Sequence, residues 1–453
     1  MDFESIKRLG LNHYNFNLTK SFEIYDSSSN NHTIILHLNK DSNLCCPVCG
    51  SINVICKGSK FNTLKYSSGL ENNIIIKLYR RCYYCKDCSH YFKENNPLTC
   101  SKKTITLQKD IQIINALKDK NNTYTSVAKK FNVSPTYVID TFDRKVDLKR
   151  LSLPQVLCID EVYAKKLTKH SYCCILYSPQ RNKIIDILDS RHKFNLIEYF
   201  SRIPKIEKNN VKFISIDMWE SYRQVAHLCF PKAILCVDSF HVIYHLNLAF
   251  QKIRIKIMKK YENLKYEKTY KYKYWLYKKY WKFLLTDISN LPDNHIKINK
   301  SKMYLTKYQI IEYMLELDND LKNAYELKEE YRNFNSLATI DNAEAWLSDI
   351  IVKFENSNIV EFQPFINTIR NWKTEIINSF NRINGFRISN AKLERINNDI
   401  KQIFSTSFGS TNFIRIRNRI MFCINDMSPI LYSRKNRSNK KVGKSRGKYN
   451  KNK

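Results

Sequence analysis

Three observations predict a multidomain α/β protein. Two Cys-x-x-Cys pairs stand thirty-five residues apart, three short bursts of apolar residues at helical spacing follow them, and from residue 154 apolar strands alternate with amphipathic helices. At 453 residues and 43% hydrophobic content, the chain has room for two or three domains with real cores.

The charge balance narrows the partner. Seventy-six Lys and Arg against forty-two Asp and Glu leave a formal charge of +34, which compaction does not explain because like charges repel in a folded state. An AT-rich genome would supply Lys, Asn, Ile and Tyr together, but it would not remove acids, so nucleic acid is the expected partner ahead of a membrane surface. No 18-residue apolar stretch occurs, and MDFESIKRLG lacks the apolar core of a signal peptide. The expectation is a cytoplasmic, nucleoid-associated protein with no membrane contact, in a reducing compartment. There, fourteen cysteines read as metal ligands or small core residues rather than disulfides.

The first element, residues 1–100, carries the cysteine pairs. Cys46-Pro-Val-Cys49 and Cys85-Lys-Asp-Cys88 each fit a tight knuckle, and two knuckles close a four-sulfur Zn²⁺ site. The intervening NNIIIKLYRR reads as a strand of a zinc ribbon. Cys45, Cys56 and Cys82 flank the pairs, but only Cys46 and Cys85 keep the spacing on both sides.

Residues 101–150 form the second element. Ile111, Ile114 and Leu117, then Val127, Ala128, Phe131 and Val133, then Val138, Ile139 and Phe142 follow helical spacing, with Thr125 expected to cap the second helix and Ser134-Pro135 to open the third. This predicts a helix-turn-helix whose recognition helix places Thr136 and Tyr137 near bases, with Lys129, Lys130 and Arg144 as further DNA contacts.

The third element, 151–246, changes period. PQVLCID is an apolar strand, SYCCILYSPQRNKIIDILDSR two strands with a turn at Pro179 to Asn182, NLIEYFSRI a helix, VKFISIDMW a strand, SYRQVAHLCF a helix and KAILCVD a strand. That order is the ribonuclease H type of α/β domain, in which the first and fourth strands are neighbours and would bring Asp160 and Asp217 to one end of the sheet. Carboxylates gathered there need a cation between them, and oxygen ligands favour Mg²⁺ or Mn²⁺. Glu161 would point away from Asp160 along an extended strand, so it is a weak third ligand. Asp238 ends another strand and would either complete the site or orient it with His241. The best third acid is Glu394, on a helix whose apolar stripe is Leu393, Ile396, Ile400 and Ile403 and whose other side carries Asn397, Asn398 and Lys401.

Residues 247–345 interrupt this domain, and their helical period predicts an all-helical insertion. Its Tyr272, Tyr274, Trp275, Tyr280 and Trp281 are interleaved with lysines, so they either stack on unpaired bases or pack inward. Residues 346–430 return to the catalytic domain with Glu394. The tail 431–453 holds ten basic residues and no acid, a disordered phosphate-binding arm.

Taken together, CPVCGS, YYCKDCSHYF, the helix-turn-helix, CIDE, DSR, SIDMWESY, FPKAILCVDSFHVI with NLAFQKIR, and NAKLERINNDIK resemble the DDE transposases of bacterial insertion sequences, ISL-three family. The likeness runs in the family's order from about residue 40 to 425. It implies Asp160, Asp217 and Glu394 as catalytic acids and Cys46, Cys49, Cys85 and Cys88 as zinc ligands. Arg395 departs from the small residue that often follows the glutamate.

The expected function is therefore a DNA transposase. It would bind terminal inverted repeats of double-stranded DNA, hydrolyse a phosphodiester at each end with metal-activated water, and join the freed 3′ hydroxyl to target DNA. None of the eight glycines forms a phosphate-cradling loop, so no nucleotide cofactor is expected. Cutting two ends together implies a homodimer or larger synapse. The rivals are a noncatalytic DNA-binding regulator and a structure-specific nuclease on the same fold.

Overall fold

The computed structural model describes residues 1–26, 31–41, 43–67, 73–99, 104–164, 170–263, 266–287, 294–298, 303–407 and 412–428. The basic tail lies outside them. The chain divides into two compact units, Met1–Lys149 with Asp399–Lys453, and Arg150–Asn398.

The first unit opens with helix α1 (Phe3–Arg8), capped by the Asp2 carboxylate, which accepts from the Ser5 N–H at 2.7 Å. Strands β1 (Phe22–Asp26), β2 (Asn31–His37), β3 (Val54–Tyr66), β4 (Ile74–Cys85) and β5 (Tyr91–Lys93) follow. The sheet order is β1-β2-β4-β3, with β5 on the far part of β4; only β2 and β4 pair in parallel. Alternation along β4 sorts its side chains. Ile74, Ile76 and Leu78 are buried with Ile34, Leu36 and Leu64 against Ile6 and Leu9, while Lys77, Tyr79 and Arg81 lie on the other face. The β3–β4 register slips between Cys56 and Ser59, where Gly58 has φ +110°, a backbone state that glycine alone adopts cheaply.

Three helices come next: α2 (Leu107–Ala116), α3 (Tyr124–Lys130) and α4 (Pro135–Lys145). Ile113, Ile114, Val127, Phe131, Val138 and Phe142 form their shared core. The second helix is capped by Thr123, two residues before the expected Thr125. Thr123 and Ser126 exchange side-chain and backbone hydrogen bonds at 2.9 Å in a capping box that Thr125 has no partner to make. Ser134 caps α4 as its sequence suggests, with Pro135 in the first turn.

In the second unit, β6 (Val156–Tyr163), β7 (Tyr172–Ser178), β8 (Lys183–Leu188), α5 (Lys193–Ser201), α6 (Lys205–Asn209), β9 (Phe213–Ile216), α7 (Glu220–Cys229) and β10 (Ile234–Val237) run in that order. Their sheet order is β10-β9-β6-β7-β8. β6 pairs antiparallel with β7 and parallel with β9, and β9 parallel with β10. Asn182, at φ 50°, turns the β7–β8 hairpin.

The remaining elements are α8 (Ser239–Asn263), α9 (Lys268–Lys279), β11 (Ile296–Ile298), β12 (Met303–Leu305), α10 (Lys307–Glu316), α11 (Asn319–Leu337), α12 (Ala343–Asn356), α13 (Gln363–Asn371), α14 (Lys373–Asn378), β13 (Arg382–Ile383), β14 (Phe386–Arg387), α15 (Ala391–Thr406) and α16 (Phe413–Ile424). Two expectations for residues 247–345 need correction. The segment is not all-helical, since β11 and β12 form an antiparallel pair. Its expected edges also fall inside α8 and α12, which run through them without a break. Periodicity missed the pair because three-residue strands are too short to register a period of two.

One apolar core joins the sheet of this unit to its helices, including Leu157, Ile214, Phe250, Tyr277, Phe334 and Leu347. α16 belongs to the first unit. There Phe422 meets Phe142 edge-on at 6.0 Å, and Arg415 grips Asp143 through two bonds of 2.8 and 2.7 Å. Among the described residues no helix is long and apolar enough to cross a membrane.

Candidate active site and metal centre

Four sulfurs converge in the first unit. The Sγ atoms of Cys46, Cys49, Cys85 and Cys88 all lie within 4.8 Å of one another, with Cys46 to Cys88 at 3.5 Å and Cys49 to Cys85 at 3.6 Å. Ligands about 2.3 Å from a tetrahedral zinc stand roughly 3.8 Å apart, so donor type and spacing both fit that ion. Gly50, at φ +71°, follows the first knuckle, and the Gly50 N–H donates to the Cys46 carbonyl at 2.9 Å. Burial pushes the Cys46 thiol up, but the backbone N–H groups of Cys49 and Val48 outweigh it and hold that thiol at about 7. Cys88, sharing its proton with Cys49, is pushed up to about 12. An ion would need all four as thiolates. Asp87 ties the knuckles together by accepting from Ser51 and, at 2.8 Å, from Asn53.

The second unit gathers acids at one end of its sheet. Parallel pairing of β6 with β9 stops at Cys158 opposite Ser215, so Asp160 and Asp217 project just past the paired stretch of adjacent strands. Burial raises the Asp217 carboxyl to about 7. The charges of Glu161 and Asp160 push in the same direction, and His241 with the Trp219 N–H pulls partly back. Asp238, 3% exposed at the end of β10, is raised by burial and by Asp160, against a bond from the Asn390 N–H to its Oδ1 at 3.2 Å.

α15 meets this end directly. Asn397 donates from Nδ2 to Asp160 Oδ2 at 2.8 Å. Glu394 sits on the exposed side of the same helix one turn earlier, at the i,i+3 spacing that places side chains on one face. Three buried acceptors in this neighbourhood have no hydrogen-bond partner: Asp217 Oδ1, Asn390 Oδ1 and Asn397 Oδ1. Unpaired oxygens beside like-charged carboxylates suit a hard divalent cation such as Mg²⁺ or Mn²⁺. The three expected catalytic acids do not themselves draw together within 4.8 Å; among the described residues only the cysteines do.

Glu161 is bound by Arg191 and accepts from the Tyr222 hydroxyl at 3.4 Å, and its charge acts on Asp217 more than that of Asp160 does. Arg191 is wedged over Tyr172 at 4.2 Å and Trp219 at 4.6 Å. Residue spacing alone did not single out Arg191 or Asn397, because each partner lies thirty or more residues away.

Of the expected DNA contacts, Thr136, Lys129 and Lys130 are exposed. Tyr137 is half-buried and its hydroxyl donates to Asp110 at 2.5 Å, while Arg144 folds back on Thr141 at 2.9 Å. Among the aromatic residues of α9 and the turn after it, Tyr272, Trp275 and Tyr280 pack against the core and Tyr274 donates to Glu262 at 3.0 Å. Inward packing thus holds for Tyr272, Trp275 and Tyr280, while Tyr274 and Trp281 stay half-exposed outside that core.

A family model described as Transposase, for DDE transposases of the ISL-three type, matches residues 157–420, more than half of the chain. No curated protein matches at a significant level. The matched span starts on β6 and runs through both strand-end aspartates, Asn397 and the helix of Glu394. The chain belongs to the DDE transposases of the ISL-three family.

Proposed function

We propose that the protein cuts and joins DNA at the terminal inverted repeats of an insertion sequence, using Asp160, Asp217 and Glu394 as its catalytic acids. The observation that carries this reading is the strand-end pair: adjacent parallel strands deliver Asp160 and Asp217, Asp217 keeps a buried unpaired oxygen, and the helix bearing Glu394 is bonded to Asp160. The order β10-β9-β6-β7-β8, with its parallel β6–β9 contact, supports a ribonuclease H-type domain.

A bound Mg²⁺ or Mn²⁺ would activate the attacking oxygen and stabilise the leaving one in an in-line displacement. The chain's own residues prepare that event. Asp160 is oriented by Asn397, Asp217 gives up its proton near neutral pH, and Glu394 closes the site from the exposed side of α15. His241 offsets part of the rise at both Asp217 and Asp238.

The three helices α2, α3 and α4 support a helix-turn-helix role, with Thr136, Lys129 and Lys130 free to approach a groove. A zinc ion in the four-cysteine site would lock the ribbon that accompanies it. Two ends must be cut together, which calls for at least a dimer.

The test is cleavage of a supercoiled plasmid carrying the element's ends by purified protein with Mg²⁺, beside Asp217→Asn. End-specific nicks and joined products from wild type alone are the expected result. End binding without cleavage by either protein would refute the catalytic reading.

A further inference from the structure

The sheet of the first unit packs one face into the core of that unit, and on the other face its side chains are only partly covered. On that other face His37 pairs with Tyr79 and Tyr79 with Phe61, so three rings form a row across β2, β4 and β3. His37 and Tyr79 stack at 4.4 Å with planes 5° apart, and Phe61 follows at 5.6 Å. Phe61 is 52% exposed, with Lys77 Nζ 5.8 Å over its ring.

A cavity of about 260 Å³ opens beside the stack, lined by Lys20, His37, Tyr79 and Arg81 among others and by no acidic residue. Arg81 is held in place by Glu94 and by the Leu38 carbonyl at 2.7 Å. Burial, then the Lys20 and Arg81 charges, push the His37 imidazole below its ordinary value, so near neutral pH it is a flat uncharged ring. An exposed ring at the end of a half-buried stack, with cations beside it and no acid lining the cavity, is what bases and phosphates need together.

We propose that this face binds unpaired nucleotides of single-stranded DNA, bases stacking along His37, Tyr79 and Phe61 and phosphates lying against Lys20 and Lys77. A duplex hides the faces of its bases, so the ring row would give it nothing. The inference rests on the protein being a DNA-processing enzyme, and it assigns to the ribbon sheet a task separate from reading duplex ends.

The experiment measures fluorescence anisotropy of a labelled oligothymidylate and of a labelled duplex with the full-length protein. Phe61→Ala, Phe61→Ala with Tyr79→Ala, and Phe61→Trp are compared with wild type. Expected is a loss of single-strand affinity of about tenfold for Phe61→Ala, near the lower part of the range for one stacking ring, with recovery in Phe61→Trp and no change for the duplex. Because Phe61 is exposed, its single variant tests the idea even if the double variant misfolds. Unchanged single-strand affinity, or parallel loss on both probes, overturns the proposal. Wild type that binds duplex but not oligothymidylate sinks this inference alone; binding of neither sinks the transposase reading as well.

Discussion

Replacing Asp217 with Asn should remove cleavage and stabilise the metal-free fold, and the second effect carries a definite pH signature. The native carboxyl titrates at about 7 against an ordinary 3.8. Between those values the folded chain keeps a proton that the unfolded chain has released, so stability falls as pH rises, by about 1.4 kcal/mol per unit. Roughly three units give at most about 4 kcal/mol lost by pH 8, a cost that a neutral amide of nearly the same shape does not meet. The variant should therefore match wild type near pH 4 and exceed it by about 2–4 kcal/mol at pH 8 in EDTA. All five tryptophans, at 219, 275, 281, 346 and 372, lie in the second unit, so urea unfolding followed by tryptophan emission reads that unit alone. Saturating Mn²⁺ should close the gap by stabilising only wild type. A gap independent of pH, or a variant less stable at pH 8, would refute an electrostatic burden at Asp217.

Three further outcomes follow from the same structure. Asn397→Ala should lower cleavage about 10–100-fold with unchanged unfolding curves, since it removes the bond orienting Asp160 and little else; equal kinetics would place that bond outside the mechanism. Cys85→Ser should abolish the one zinc per chain expected by metal analysis and loosen the first unit, leaving tryptophan emission unchanged. Arg419→Ala should destabilise the first unit by about 3 kcal/mol in a far-ultraviolet melt, because that 0% exposed guanidinium bonds the Asn122 carbonyl and lies 4.9 Å over Tyr124.

What could be read from residues alone was whatever short-range chemistry encodes. Cys-x-x-Cys spacing is a local constraint, and the sulfurs do converge. Runs such as VLCID are buried, so their apolar continuity was visible, as was the polar residue ending each run. The capping box on α3 was missed because Thr123 and Thr125 look alike until Ser126 is seen to bond back. The inward turn of Trp275 and Tyr280 was undecidable from interleaved lysines, since long basic stems solvate a helix whichever way its rings point. Contacts between distant segments left no period at all: Asn397 meets Asp160 across 237 positions, and Arg415 meets Asp143 across 272.

The acidic end of the sheet stands against the rest of the chain. In a protein of formal charge +34, Glu161 and Asp160 act on Asp217, Asp160 acts on Asp238, and one arginine, Arg191, is bonded to Glu161. On the proposed reading, a DNA phosphate approaching that place would meet attraction from the basic surface and repulsion from the carboxylates. The unpaired oxygens of Asp217 and Asn397 would give a divalent cation somewhere to bind before DNA arrives, and its charge would reverse the local sign. Cation and phosphate would then bind with positive coupling, each raising affinity for the other by the same factor. Duplex affinity measured on wild type should accordingly rise when Mg²⁺ replaces EDTA at constant ionic strength, and the rise should shrink in Asp217→Asn. Equal responses in the two proteins would mean that the acids do not govern how the backbone is admitted.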